Sequence, residues 1–381
     1  MNIQGYLAKM KGIQDNLLEF LESEDDFKDT LNQFTNFLTE QLVQNEILKD
    51  FLNLLSKISM NHHRTADFIK KIEDILTFLK KGIQSKISNT SLFNVFRDNK
   101  RILLFLFKNE FIKLDEYVYD HLISRYDYID YFQPELISYE TKKSIEDANF
   151  DENREEGENH NYLCKLIRND SVEEFIIYLN KQNMSPTKTK IELTRFETNS
   201  FLIKKKDISL IEYAMFFGSI QIVKYLQLND VDLNPSLWLY AIHSNNPELI
   251  HFLEENHVLP DDKTYQKCFI ESVKCYHNNI AHYIQDNLLE KTTTNNDISL
   301  DLIEFYNFDF FPNDLENETL FSCLCKYDYL LLANIVIKDL DVNKAIHKIY
   351  LIKLMKFDNN FISHHYMQQL RKEIKKLFNF C

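Results

Sequence analysis

Glycine and proline are scarce in this chain, with 5 glycines and 6 prolines among 381 residues. Folds built on sheets need both residue types at many tight turns, so the shortage favours a mostly helical chain. Hydrophobic residues make up 44% of the sequence and aromatic residues 13%, which excludes wholesale disorder. Phenylalanine and tyrosine number 30 and 20, so the core must be assembled from large side chains.

Motifs that signal catalysis or cofactor binding are also missing. The chain has neither the G-x-G-x-x-G nor the G-K-[ST] pattern of a phosphate loop, and no G-x-S-x-G elbow. Its 6 cysteines form no C-x-x-C pair, which indicates reduced core residues in a cytoplasmic protein. Histidines are numerous enough for acid–base chemistry, but no set of histidine, acid and nucleophile is recognisable. We therefore expect no enzyme, no catalytic residue and no cofactor.

Two histidine patterns raise the question of a metal site. Cys268, Cys275, His277 and His282 lie close together in the sequence, but their spacing fits no structural zinc pattern. We expect core cysteines, surface histidines and no metal. The pair His62-His63 stands at a break between two predicted helices, where we expect a loop position without a role.

The chain also has fewer basic than acidic residues, 44 against 58, and it lacks long apolar runs. The formal net charge of −14 argues against nucleic acid and anionic membranes as partners, because both attract clustered lysine and arginine. The longest apolar run, 102–107, is far shorter than the roughly 20 residues of a membrane span. No apolar segment typical of a signal peptide follows Lys9 and Lys11. These features predict a soluble cytoplasmic protein without a membrane span.

Hydrophobic periodicity divides the chain. Apolar residues recur at steps of three and four along 1–90, which predicts an N-terminal region of amphipathic helices. Residues 91–143 have the layout of divergent helical repeat units. Residues 144–161 are polar and acidic, which predicts a solvated linker or loop. The last stretch, 346–381, has the pattern of basic amphipathic helices that would cap the C-terminal end.

Residues 209–253 contain two versions of one pattern, which indicates a repeat architecture. The corresponding positions are Ala214 with Ala241, Gly218-Ser219 with Asn245-Asn246, Ile222-Val223 with Leu249-Ile250, and Leu226 with Leu253. Further units begin near 162, 267 and 318, within a repeat region of 162–345. The long interruption at 180–207 is expected to project from the stack as a flap.

This pattern resembles the ankyrin repeat, whose unit is T-P-L-H-x-A-A-x-x-G-H-x-x-I-V-x-x-L-L, closed by G-A-D-V-N. The matching residues are Ser209, Ile211, Ala214, Gly218, Ile222-Val223, Leu226 and Asp232-Leu233-Asn234. F-E-T-N-S-F-L at 196–202 and S-L-W-L-Y-A-I-H at 236–243 are similar to a family with an uncharacterised domain upstream of divergent ankyrin repeats, abundant in parasitic protists. The similarity extends over 90–345. This resemblance implies an all-α solenoid of helix-turn-helix units. Because the family has no established activity, it implies no particular function.

A repeat scaffold of this kind is expected to bind a protein partner on its concave face and loop tips. The residues expected to contact that partner are Tyr213, Phe216, Tyr240 and His243 on the first helices, and Asp230, Asp232, Asp261 and Asp262 in the loops. Tyrosine is frequent at protein hot spots, although Tyr240 could equally be core. Trp238 matches a buried leucine position and is expected in the core. The acids either attract basic partners or cap their own loops.

Two other functions stay open at this point. An enzyme with an unrecognised site under the 180–207 flap would show ionisable groups converging in a pocket. A self-associating structural protein would use the helices of 1–90. The sequence names neither the partner nor the oligomeric state.

Overall fold

The computed structural model describes residues 2–23, 27–42, 45–140, 149–289, 300–312, 315 and 317–339. These residues are mostly helical, with one two-stranded sheet, so the all-α class predicted from the low glycine and proline content is confirmed. The chain divides into two compact units, 1–313 and 314–381. Along the described ranges, every helix is either too short or too polar to cross a membrane.

The first four helices pack against one another as the apolar periodicity predicts. They are α1 (Ile3–Glu22), α2 (Phe27–Gln41), α3 (Asn45–Asn61) and α4 (Phe68–Lys86). They also contact the far end of the same unit. Gln14 Nε2 donates to Asn307 Oδ1 over 3.0 Å, and Asn53 Nδ2 donates to Tyr306 Oη over 3.0 Å. One face of 1–90 is therefore occupied within the chain.

Short helices follow, and several begin at side-chain caps. They are α5 (Asn89–Phe96), α6 (Lys100–Lys108), α7 (Glu116–Ile123), α8 (Tyr126–Ile129), α9 (Gln133–Glu140) and α10 (Phe150–Glu156). Ser88, Asn99 and Asp115 each accept a hydrogen bond from a first-turn backbone N–H. Helix α10 lies inside the predicted acidic linker, whose residues 144–148 are outside the described ranges.

Four helix pairs then stack in sequence order. They are α11 (Tyr162–Arg168) with α12 (Val172–Lys181), α13 (Leu210–Phe216) with α14 (Ile220–Leu228), α15 (Leu237–His243) with α16 (Pro247–Glu255), and α17 (Gln266–Lys274) with α18 (Asn278–Asn287). The first helix of each pair contacts the first helix of the next. Ala214 and Ala241 are fully buried at this contact, as the pattern predicts, because a small side chain permits close approach.

The turn inside each pair has one backbone geometry. Asp170, Gly218, Asn245 and Tyr276 have φ of 48°, 75°, 53° and 60°, which is the left-handed region that glycine adopts at least cost. The next residue joins neighbouring pairs. Ser219 donates to Ile167 O over 2.5 Å and His277 Nδ1 donates to Ile242 O over 2.7 Å, so these two side chains each bond the end of the first helix in the preceding pair.

Replacing Asn245 with glycine should raise the free energy of unfolding by about 0.5–1 kcal/mol, because its φ of 53° strains any residue with a Cβ. Asn245→Ala is the matched control. Alanine keeps the Cβ and lacks asparagine's tolerance of this region, so it should lower stability. Urea unfolding followed by circular dichroism measures both variants, and equal stability of the two would contradict the account.

The insertion at 180–207 lies against the stack, whereas the sequence led us to expect a projecting flap. Strand β1 (Lys190–Ile191), within the insertion, pairs antiparallel with β2 (Ile208–Ser209), which directly precedes α13. Between them is a short 3-10 helix, Leu202–Lys204. Phe196, Phe201 and Leu202 are buried. An insertion with three such apolar side chains gains more by packing than by projecting into water.

The described part of the second unit, up to residue 339, contains one helix pair, α19 (Asn317–Lys326) and α20 (Leu330–Val336), followed by a short 3-10 helix, Ile337–Asp339. Asp328, in the turn of this pair, has a φ of 66° and so repeats the left-handed geometry of the earlier turns. The predicted capping helices at 346–381 lie outside the described residues.

Candidate functional site

The aromatic side chains predicted to face a partner are buried. Tyr213, Phe216, Tyr240 and His243 are all in the core, which corrects the expectation of an exposed recognition stripe. Tyr213 packs on Phe217, with 4.8 Å between ring centroids, and its hydroxyl accepts from Arg168. For the other three residues the physical reason is the insertion. The Phe201 ring lies 5.9 Å from that of Phe216, 5.0 Å from that of Tyr240 and 4.2 Å from that of His243, between centroids. Phe201 therefore covers the side of the first helices that we expected to be open.

The predicted loop acids divide into two kinds. Asp262 is half-buried, and its Oδ2 accepts from Lys267 N over 2.9 Å, so it holds the start of α17. Asp230, Asp232 and Asp261 are exposed. Within the described part of the chain, these three carboxylates make no hydrogen bond or ion pair that would occupy them.

Two exposed leucines stand beside these acids. The side chain of Leu228 is 82% exposed and that of Leu259 is 53% exposed. The loops that carry them are joined, because Gln227 Nε2 donates to Asn256 Oδ1 over 2.6 Å. We call Leu228, Asp230, Asp232, Leu259 and Asp261 the loop-tip surface. It combines apolar contact area with three negative charges.

A cleft lies where the α3–α4 connection meets the insertion. Its lining consists of 60–64, 199–201, Phe216, Phe217 and His243. The two walls are tied together, because Arg64 Nη1 donates to Thr198 Oγ1 over 2.9 Å and Ser200 Oγ donates to Met60 O over 3.1 Å. The cavity volume is about 20 Å³, which is room for roughly one water molecule.

Histidines dominate the electrostatics of this cleft. Burial, assisted by neighbouring His62, lowers the pKa of His63 to about 4, so His63 is neutral at pH 7. His62 is not the loop residue without a role that we expected. Its Nδ1 donates to Cys275 O over 2.9 Å, and its Nε2 lies 3.1 Å from Glu22 Oε1. His62 thus joins the N-terminal helices to the end of α17.

Behind the cleft, His243, Glu271 and Cys275 are in contact. His243 Nε2 lies 2.8 Å from Glu271 Oε1, and Cys275 Sγ lies 3.5 Å from His243 Nδ1. Burial lowers the pKa of His243, and burial raises that of Cys275 well above its usual range. Although burial alone would raise the pKa of Glu271, hydrogen bonds and charges from His243 and Lys274 hold it well below its usual range.

These protonation states define one hydrogen-bonded arrangement at neutral pH. Neutral His243 donates from Nε2 to the ionised Glu271, and the thiol of Cys275 can donate to Nδ1. The order of thiol, imidazole and carboxylate is that of an activated nucleophile. However, Cys275 is fully buried, so its sulfur cannot contact a substrate in this conformation.

The four cysteines and histidines that we considered as metal ligands in the sequence differ in burial. Cys268 and Cys275 are core residues, as predicted. His282 is half-exposed, which agrees with the predicted surface position. Its Nε2 lies 3.2 Å from Asp309 Oδ2. His277 is buried, so the expectation of a surface histidine is wrong there. Its Nδ1 bonds the preceding pair, as the side chain of Ser219 does in its own unit.

The described residues thus define a mostly helical chain with stacked helix pairs, an acidic and apolar loop-tip surface, and a closed histidine-lined cleft. Comparison with protein-family models, with curated proteins and with solved structures gave no match. Function is therefore inferred from geometry.

Proposed function

We propose that this protein is an ankyrin-like repeat scaffold that binds a basic protein partner on the loop-tip surface. The observation that carries the proposal is the combination of two exposed leucines, Leu228 and Leu259, with three exposed carboxylates on joined loops. Leucines accept apolar side chains of a partner, and the carboxylates select lysine or arginine around them.

The regular geometry of the helix pairs supports the ankyrin-like part of this proposal. Small alanines lie between first helices, left-handed residues occupy each turn, and side chains after those residues bond the preceding pair. A stack built in this way places the ends of its second helices side by side, so residues far apart in sequence form one surface. The overall net charge of −14 also favours a positively charged partner.

The other two functions have less support. The cleft is the pocket under the insertion in which an enzyme would act, and His63, Arg64 and His243 converge there. Its volume of about 20 Å³ admits no substrate unless the segment around Phe201 moves, which favours the scaffold. Self-association through 1–90 is disfavoured because part of that surface already contacts 306–308.

The test is affinity capture with the full chain and three variants. Leu228→Ser with Leu259→Ser should reduce recovery of the specific partner at least tenfold, because each leucine contributes about 1 kcal/mol or more on burial. Asp230→Asn with Asp232→Asn and Asp261→Asn should do the same and should also weaken the salt dependence of binding.

The matched control for this capture is Ile177→Ser. Ile177 is another exposed aliphatic residue, but it lies on α12, outside the loop-tip surface. Its replacement should leave recovery unchanged, as quantified by mass spectrometry. Recovery of the same proteins in equal amounts from all variants would show that binding does not use the loop tips.

A further inference from the structure

Three potential metal ligands from neighbouring helix pairs converge behind the cleft. His243 ends α15, Glu271 lies within α17, and Cys275 follows the last residue of α17. One nitrogen, oxygen and sulfur atom from these side chains all lie within 4.8 Å of one another. Their meeting depends on the stacking of two repeat units, which is why no local spacing motif reveals it.

Two of the three donor-atom separations are within about half an ångström of those around a tetrahedral metal, and the third, between sulfur and carboxylate oxygen, is at most 4.8 Å. Zinc bonds of about 2.3 Å to sulfur and about 2.0–2.1 Å to nitrogen and oxygen place S and N roughly 3.6 Å apart, and N and O roughly 3.3 Å apart. In this chain, Cys275 Sγ lies 3.8 Å from His243 Nε2, and Nε2 lies 2.8 Å from Glu271 Oε1. The sulfur is closer to Nδ1, at 3.5 Å, so the Cys275 side chain must also rotate toward the Nε2 side of the imidazole to complete the site.

We propose that His243, Glu271 and Cys275 form a zinc site that joins α15 to α17. Imidazole, carboxylate and thiolate together suit Zn²⁺, whereas Mg²⁺ and Ca²⁺ prefer oxygen ligands alone. The charges of the ion, the thiolate and the carboxylate cancel, so a neutral centre is buried. The cleft beside His243 has room for about one water molecule, which is the usual fourth ligand of a zinc ion with three protein ligands.

Binding requires two proton movements that the arrangement permits. The thiol proton of Cys275 leaves to solvent as the Zn–S bond forms. The proton on Nε2 of His243 is also released, and the imidazole takes up a proton on Nδ1, which faces the sulfur at 3.5 Å. No oxidant or reductant is involved.

Surrounding side chains already hold the ligands in place. The His243 ring packs against those of Phe201 and Phe216, with centroids 4.2 Å and 5.2 Å away. Lys274 Nζ donates to the same oxygen, Glu271 Oε1, over 2.6 Å and holds it toward His243, where the ion would replace the proton on Nε2. The carbonyl of Cys275 accepts from His62. Such outer contacts fix the orientation of metal ligands.

The test uses the full chain, stripped of metal with a chelator and titrated with Co²⁺, which replaces Zn²⁺ and absorbs light. The wild type should bind one equivalent, show a thiolate-to-cobalt charge-transfer band and lose that band when Zn²⁺ is added. Cys275→Ser should abolish the band. Cys268→Ser, which removes a second buried thiol of α17, should retain it.

Two results would overturn the proposal: a folded wild type without the charge-transfer band, or a band that persists in Cys275→Ser. If Cys275→Ser fails to fold by circular dichroism, Glu271→Gln replaces it. Glutamine keeps the shape of the side chain but is a poor zinc ligand, so the affinity for Co²⁺ should fall at least tenfold. Equal affinity of Glu271→Gln and the wild type would also refute the site.

Discussion

Replacing Trp238 with alanine is expected to lower the free energy of unfolding by about 3–5 kcal/mol. The indole is fully buried between helix pairs, and its edge meets Tyr265 at 5.0 Å between ring centroids. Its Nε1 donates to Val258 O over 2.7 Å. Alanine removes this contact area, leaves a cavity and leaves Val258 O without the indole donor, and these losses add.

Trp238→Phe separates packing from hydrogen bonding. Phenylalanine keeps much of the ring but cannot donate to Val258 O, so we expect a loss of about 1–3 kcal/mol. Tyr126→Ala, at a largely exposed side chain, should change stability by no more than about 0.5 kcal/mol. Urea unfolding at pH 7 measures all three variants. A loss below about 1 kcal/mol for Trp238→Ala would mean that this position is not central to the stack.

The burial of Trp238 is a case in which the repeat pattern predicted correctly. Trp238 stands at a leucine position of the pattern. Side chains at such positions are buried by contacts within one helix pair or between adjacent pairs. Ala214 and Ala241 follow the same logic. Short-range positions of this kind are predictable because the chain itself fixes which residues lie next to each other.

Three residues of the aromatic stripe, Phe216, Tyr240 and His243, were predicted wrongly because the residue that covers them lies outside the pattern. Phe201 belongs to the insertion, and nothing in the repeat spacing indicates where an inserted segment packs. His62 shows the same limit at longer range, since its partner carbonyl is that of Cys275, 213 positions later. The His62-His63 pair beside a helix end was the available signal. Its partners could not be identified without the tertiary structure.

Arg154 is the second position at which substitution should be severe. Sequence composition placed it in a solvated acidic loop, yet its side chain is buried in α10. Its guanidinium donates to Glu135 Oε2 over 2.7 Å, to Asp151 Oδ1 over 2.9 Å and to Tyr131 O over 3.3 Å. Local composition shows that acids are in excess in 144–161, but it cannot show that a carboxylate outside this segment, that of Glu135, pairs with Arg154.

Arg154→Met should therefore lower the free energy of unfolding by about 3–5 kcal/mol, the usual cost of removing one partner of a buried ion pair. Methionine fills part of the space, but Glu135 and the carbonyl of Tyr131 both lose the hydrogen bond from the guanidinium. Arg154→Lys should recover only part of the loss, because an ammonium group cannot reproduce the fork of the guanidinium. Thermal and urea unfolding measure both variants.

A double-mutant cycle identifies which carboxylate is responsible. The Glu135 side chain is 18% exposed and that of Asp151 is 70% exposed, although both accept from the same guanidinium. Screening by water makes the exposed pair weak, so Asp151→Asn should cost less than about 1 kcal/mol. Glu135→Gln combined with Arg154→Met should cost at least about 1 kcal/mol less than the sum of the single changes. Equal coupling of Arg154 to both acids would show that burial does not determine the strength of the Arg154–Glu135 pair. Helix α10 would then be held by its apolar contacts instead.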